Sequence, residues 1–125
     1  ALTAVERAGH GYQVLHILSG KPSANLYCYM DMDNPQGAVE LGWKTTRKSK
    51  PIMVSSLVAA LRSNDLISWS ENLVREASSL VYQGQEIKSS EHDDEWDAVS
   101  IALQVREQTP LREERVATVL PYVTI

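Results

Sequence analysis

A single cysteine, Cys28, stands among the 125 residues, which excludes an internal disulfide framework and any cysteine-cluster zinc site. Lying in an apolar run, it is expected as a small buried side chain and not as a nucleophile. Such thiol usage suits a reducing interior compartment. No apolar run approaches the roughly 18 residues that a membrane span needs, and the first residues show no basic-then-apolar signal pattern. Positive charge is not in excess either: twelve Lys and Arg against sixteen Asp and Glu give −4. That balance excludes a uniformly basic nucleic-acid coat and leaves room for a local basic patch. Internal repeats and low-complexity segments are also missing. What is present, 43% hydrophobic and 22% charged residues, is the composition of an ordinary globular protein. The length suits one domain around one core, so residues 1–125 are read as a single domain with 108–125 as its tail.

Residues 2–5 read as a short strand that ends on Glu6-Arg7, and Gly9 and Gly11 then break the pattern. Helical spacing of Val14, Leu15 and Leu18 predicts a helix over 12–18, stopped by Gly20 and Pro22. Residues 26–30 (LYCYM) read as a buried strand, and 31–37 as a loop around Asn34-Pro35. A basic segment, 42–50, leads into the clearest helix. There Ser49 is the expected N-cap and Pro51 suits the first turn; Met53, Val54, Leu57, Val58 and Leu61 form its stripe, and Asn64 its stop. Residues 66–69 predict another strand. Ser70 caps a helix whose stripe runs through Leu73, Ala77, Leu80 and Val81, and 83–90 read as a polar loop. A last helix is expected from about His92 to Glu107, ended by Pro110. The apolar, β-branched residues 116–125 read as an added strand or a docking arm. Alternating strands and helices predict an α/β fold, a small sheet packed by helices.

Two places put carboxylates where chemistry can use them. Glu6 closes a predicted strand beside a glycine-containing turn, the edge of an α/β sheet where sites collect; a solvated charge at a strand end would account for it equally well. The second place is His92-Asp93-Asp94-Glu95-Trp96-Asp97. The helix macrodipole favours acids in a first turn, but four acids in five positions repel one another. Asp94 and Asp97 at i, i+3, and Asp93 and Asp97 at i, i+4, share a helix face. Carboxylates without a matching His and Cys set suit hard ions such as Mg²⁺ or Mn²⁺. Lys44, Arg47, Lys48 and Lys50 supply the opposite charge. A charge run is commonly a solvated loop, yet a basic loop beside an acidic metal cluster is what phosphodiester cleavage requires.

Glu6-Arg7 followed by Gly11 is similar to an E-R-N-x-x-G motif. Gly42-Trp43-Lys44-Thr45-Thr46 with Lys50-Pro51 is similar to G-W-x-T-T…K-P, and His92-Asp93-Asp94-Glu95-x-Asp97-Ala98 to H-D-D-x-x-D-A. In this order, over about residues 2–106, the three resemble the C-terminal nuclease domain of tailed-phage large terminase subunits. The resemblance implies a partial ribonuclease H-like fold and a two-metal Mg²⁺ or Mn²⁺ endonuclease that cuts concatemeric double-stranded DNA during packaging. It implies Glu6 as the second of three metal-binding acids and Asp93, Asp94 or Asp97 as the third, with Asp94 preferred. Lys44, Thr45, Arg47, Lys48 and Lys50 would lie near the DNA. Portal protein and the small terminase subunit are the implied partners, and the bacterial host cytoplasm is the implied compartment.

Ala8 stands where the motif has Asn. The opening Asp of the family pattern has no counterpart, and no G-x-x-x-x-G-K-[ST] phosphate loop is present. The expectation is therefore a fragment of the parent nuclease, inactive in isolation. Its first strand would expose an edge that self-associates or is covered by residues 116–125. Two other readings stay open: a non-catalytic assembly module, and another ribonuclease H-like nuclease such as a junction resolvase.

Overall fold

The computed structural model describes residues 1–29, 39–89 and 92–109; the predicted loop over 31–37 and the tail over 116–125 lie outside them. Among the described residues the chain is mixed α/β, with helices α1 (Gly11–Ser19), α2 (Ser49–Arg62), α3 (Glu71–Ser78) and α4 (Asp94–Gln108). Two separate antiparallel pairs replace the single small sheet expected: β1 (Cys28–Tyr29) with β2 (Glu40–Leu41), and β3 (Leu80–Gln83) with β4 (Glu86–Ser89). No described helix is long and apolar enough to cross a membrane.

The core forms where α2 packs on α4. Met53 and Leu57 on one helix and Trp96 and Ser100 on the other are completely buried. Trp43 and Tyr27 close this core from the side of β1 and β2, and the Tyr27 hydroxyl donates to Gln108 at the end of α4. The helical starts follow local chemistry. Ser70 caps α3 as expected, accepting the Leu73 amide at 3.2 Å. The start of α2 is organised one turn before the expected cap. The Thr46 amide donates to the Ser49 hydroxyl at 2.8 Å and the Ser49 amide to the Thr46 hydroxyl at 3.1 Å, a reciprocal arrangement like a capping box. Asn64 ends α2 in a left-handed conformation with φ 59°, as its residue type predicts.

Four readings are corrected. Residues 66–69 form no strand; an Asn-led turn joins α2 to the cap of α3, and no described residue pairs with them. The polar loop over 83–90 is instead the second half of a hairpin, because Leu80 and Val81 leave the helix and pair with Ser89 and Lys88. Gly84 makes the turn at φ +66°, a conformation that costs glycine little. Cys28 is exposed, since strand alternation turns Tyr27 and Tyr29 toward the core and the residue between them to the opposite face. Finally, α4 begins at Asp94 and not at His92.

The first residues are not a free strand. Thr3 bridges Leu26 and Glu6 bridges Trp43, both in parallel, so segment 1–7 follows one arm and then the other where the β1–β2 pair opens. Thr3 donates to Asn25 and accepts from Tyr27, both at 2.8 Å, and Arg7 donates to the Trp43 carbonyl at 2.7 Å.

Candidate functional site

Glu6 is placed by close backbone approach. The Trp43 amide donates to the Val5 carbonyl at 2.8 Å, and Gly42 makes this possible at φ +88°, where a Cβ would lie 2.6 Å from that carbonyl oxygen. On the other side a Cβ on Gly11 would stand 1.9 Å from the Glu6 carbonyl oxygen. Both glycines of the sequence motifs thus have a steric reason. Thr45 then donates its hydroxyl to the Glu6 carboxylate at 2.9 Å, fixing the side chain.

The acids on α4 are placed by what its first turn buries. Trp96 has no exposed surface, and its backbone amide donates to the buried Glu76 carboxylate at 2.8 Å. With the indole driven inward, Asp94 and Asp97 face a cleft of about 240 Å³ that Glu6 and Ala4 line from the opposite side. Residues 91 positions apart, Glu6 and Asp97, are therefore brought together. Two acids of the cluster are turned elsewhere. Glu95 accepts the Ser70 hydroxyl. Asp93 lies 3.9 Å from the Lys50 ammonium, which also sits 5.5 Å above the Trp96 ring.

Asp97 carries the electrostatic signature of the site. Burial, then the charges of Asp93 and Glu6, push its carboxyl up to about 7, against the pull of Lys50. One of its oxygens is buried with no hydrogen-bond partner among the described residues. A half-buried carboxyl crowded by like charge is a common mark of a functional site. The donor set fits a hard cation in kind, being oxygen only and including an orphaned buried oxygen. It does not form a closed cage: among the described residues no group of three or more His, Cys, Asp or Glu is arranged to hold a metal ion. A cation here would keep most of its waters.

The basic segment divides. Lys44, Arg47 and Lys48 are exposed, while Lys50 is committed to Asp93 and Trp96 and Thr45 to Glu6. Arg47 pairs with Glu86 from the β3–β4 hairpin, across a second groove of about 240 Å³ beside Thr45 and Pro51. Sequence reasoning missed Glu76 and Glu86. Glu76 had a readable signal, since it falls between Leu73 and Ala77 on the apolar stripe of α3; Glu86 was hidden with the unread hairpin.

No protein-family model matches the chain, and neither a curated protein nor a solved structure matches it.

Proposed function

We propose that the chain is part of a metal-dependent nuclease acting on double-stranded DNA, of the ribonuclease H-like type found in phage terminase large subunits. One observation carries this reading: Glu6 and the acids of α4, distant in sequence and singled out by separate motifs, line one cleft beside the basic segment. Glu6, Asp94 and Asp97 line the cleft in which a largely hydrated Mg²⁺ or Mn²⁺ would sit, and the ion would supply an activated water and neutralise the leaving oxygen in phosphodiester hydrolysis. Thr45 orients the Glu6 carboxylate, and Asp93 and Lys50 hold each other at the mouth of the helix. Lys44, Arg47 and Lys48 reach outward to backbone phosphates, Arg47 exchanging Glu86 for a phosphate oxygen. Portal and small-subunit contacts, and action in the host cytoplasm, belong to this reading.

The open donor set favours a second reading, a non-catalytic assembly module. Manganese separates the two. Titrating Mn²⁺ into the ¹⁵N-labelled chain should broaden the amides of Ala4, Asp97 and Ala98 first, with millimolar affinity, and the Glu6→Gln, Asp97→Asn double variant should abolish that selectivity. Broadening that ignores the cleft, or that survives both substitutions, removes the nuclease reading.

A further inference from the structure

The acidic cleft is one end of a longer trough. A groove of about 470 Å³ beside Leu2 and Val105 shares Ala4, Ala98 and Ile101 with the cleft, so the two hollows run together along α4. The outer rim of this trough is a single exposed line on α4: Asp94, Ala98, Ala102 and Arg106. Residues four apart stand one above another on a helix. The line therefore carries a negative charge at one end, two methyl side chains in the middle and a positive charge at the other. The macrodipole favours each charge at its own end, but it does not require them to share one line with two alanines. Among the described residues neither the Asp94 nor the Arg106 side chain has a hydrogen bond or an ion pair.

The opposite wall has a matching midpoint. The backbone of Thr3, Val5 and Arg7 bonds to residues 25, 27 and 43, and successive residues of an extended chain point to opposite sides. Ala4 therefore presents its amide and carbonyl on the other edge, with no backbone partner among the described residues. Ala4 lies in both hollows, level with Ala98 and Ile101. That is also the level of Ser100, the midpoint of the charged line.

We propose that this face binds a second copy of the chain about a two-fold axis passing beside Ala4 and Ser100. Charge complementarity selects the occupant. A line whose opposite charges are equidistant from its midpoint matches itself when turned end for end. Antiparallel α4 helices then meet at Ala98 and Ala102, which permit close approach, and Asp94 of each copy meets Arg106 of the other. A parallel arrangement would set like charges together. The same axis brings the two Ala4 edges side by side in antiparallel pairing, so helix and edge are satisfied by one operation. A contact of this isologous kind closes at the dimer. It places Arg106 of the second copy at the mouth of the acidic cleft, where Asp94 forms part of the wall. The inference needs no metal and does not depend on the nuclease reading.

Sedimentation of the full chain tests it, with charge reversal as the probe. The chain should behave as a concentration-dependent monomer and dimer. Asp94→Arg and Arg106→Asp should each weaken association at least about tenfold, because each sets two like-charge pairs across the axis. An equimolar mixture of the two variants restores opposite charges at both contacts and should associate again. Should either reversal unfold the chain, Ala102→Glu puts like charges near the axis and should weaken association in the same way. The Ala4 amide should exchange more slowly as concentration rises, while the Thr3 amide stays protected throughout. A chain that stays monomeric at millimolar concentration would overturn the proposal. So would association that the reversals leave intact, or a mixture no stronger than its components. Ala4 protection that is independent of concentration would mean that the edge is covered within one chain, and would overturn it as well.

Discussion

Around Trp96 the chain holds its acids with a buried core, whereas around Glu6 it holds one with a handful of backbone bonds and two glycines. On the helical side Met53, Leu57, Trp96 and Ser100 are wholly buried, and the buried Glu76 satisfies the Trp96 amide in the first turn of α4. On the other side segment 1–7 is bridged, among the described residues, at Thr3 and Glu6. The two halves of the cleft therefore fail differently. Damage to the core removes the protein, while damage to the thin side moves Glu6 and leaves the helices standing.

The largest effect should come from Trp96→Ala. Emptying a fully buried indole site costs about 3–5 kcal/mol, and urea unfolding should show it; a loss below about 1 kcal/mol would mean that α4 is not anchored by this side chain. Next is Gly11→Ala. Its Cβ would fall 1.9 Å from the Glu6 carbonyl oxygen, so the segment must shift, at about 1–3 kcal/mol. Amide shifts should concentrate at residues 4–7 and 43 and spare α2 and α3. Shifts spread evenly through the helices would erase the contrast drawn above.

A third test uses pH. The Asp97 carboxyl lies at about 7 in the fold, above its value near 4 in an unfolded chain. Between these values the folded chain binds the additional proton, so stability falls as pH rises from about 4 to about 7. Discounted for solvent at this half-buried group, the fall attributable to Asp97 is about 2 kcal/mol. Asp97→Asn should remove that part of the slope and raise the midpoint of thermal unfolding at pH 8. An unchanged slope would show that the acids of the cleft do not crowd one another. The smallest effect is expected of Thr45→Val, which removes the hydroxyl donated to Glu6 at 2.9 Å. It should cost about 1 kcal/mol and perturb only the Glu6 side of the cleft.

The same contrast explains what could be read from the sequence. Helices are written locally: Ser70 as a cap, Asn64 as a stop and the Met53–Leu57 stripe all act as their residue types predict. The acids were legible because four of them crowd a single helical turn, and Glu6 because a glycine-bearing motif follows it. Strand pairing is not written locally. Leu80 and Val81 fit the helical spacing of α3 as well as the alternation of β3, and only their partners Ser89 and Lys88 decide between the two. Residues 66–69 have the composition of a strand but no strand partner among the described residues. Cys28 has the setting of a buried residue, yet its neighbours Tyr27 and Tyr29 take the core-facing side and alternation leaves the thiol outside.

The cleft also sets an order of events. Glu6 and Asp97 stand 91 positions apart, and closing a loop of that length costs on the order of 4 kcal/mol of chain entropy before any contact compensates it. The β3–β4 hairpin and the α3–α4 neighbours need far shorter closures. Contacts of this kind are expected late, after the rate-limiting barrier of folding has been crossed. Gly11→Ala should then speed unfolding while leaving the folding rate nearly unchanged, and Leu57→Ala in α2 should slow folding. A denaturant chevron reads both limbs. If the glycine variant slows folding instead, the acidic cleft is part of the nucleus and not the last piece to close.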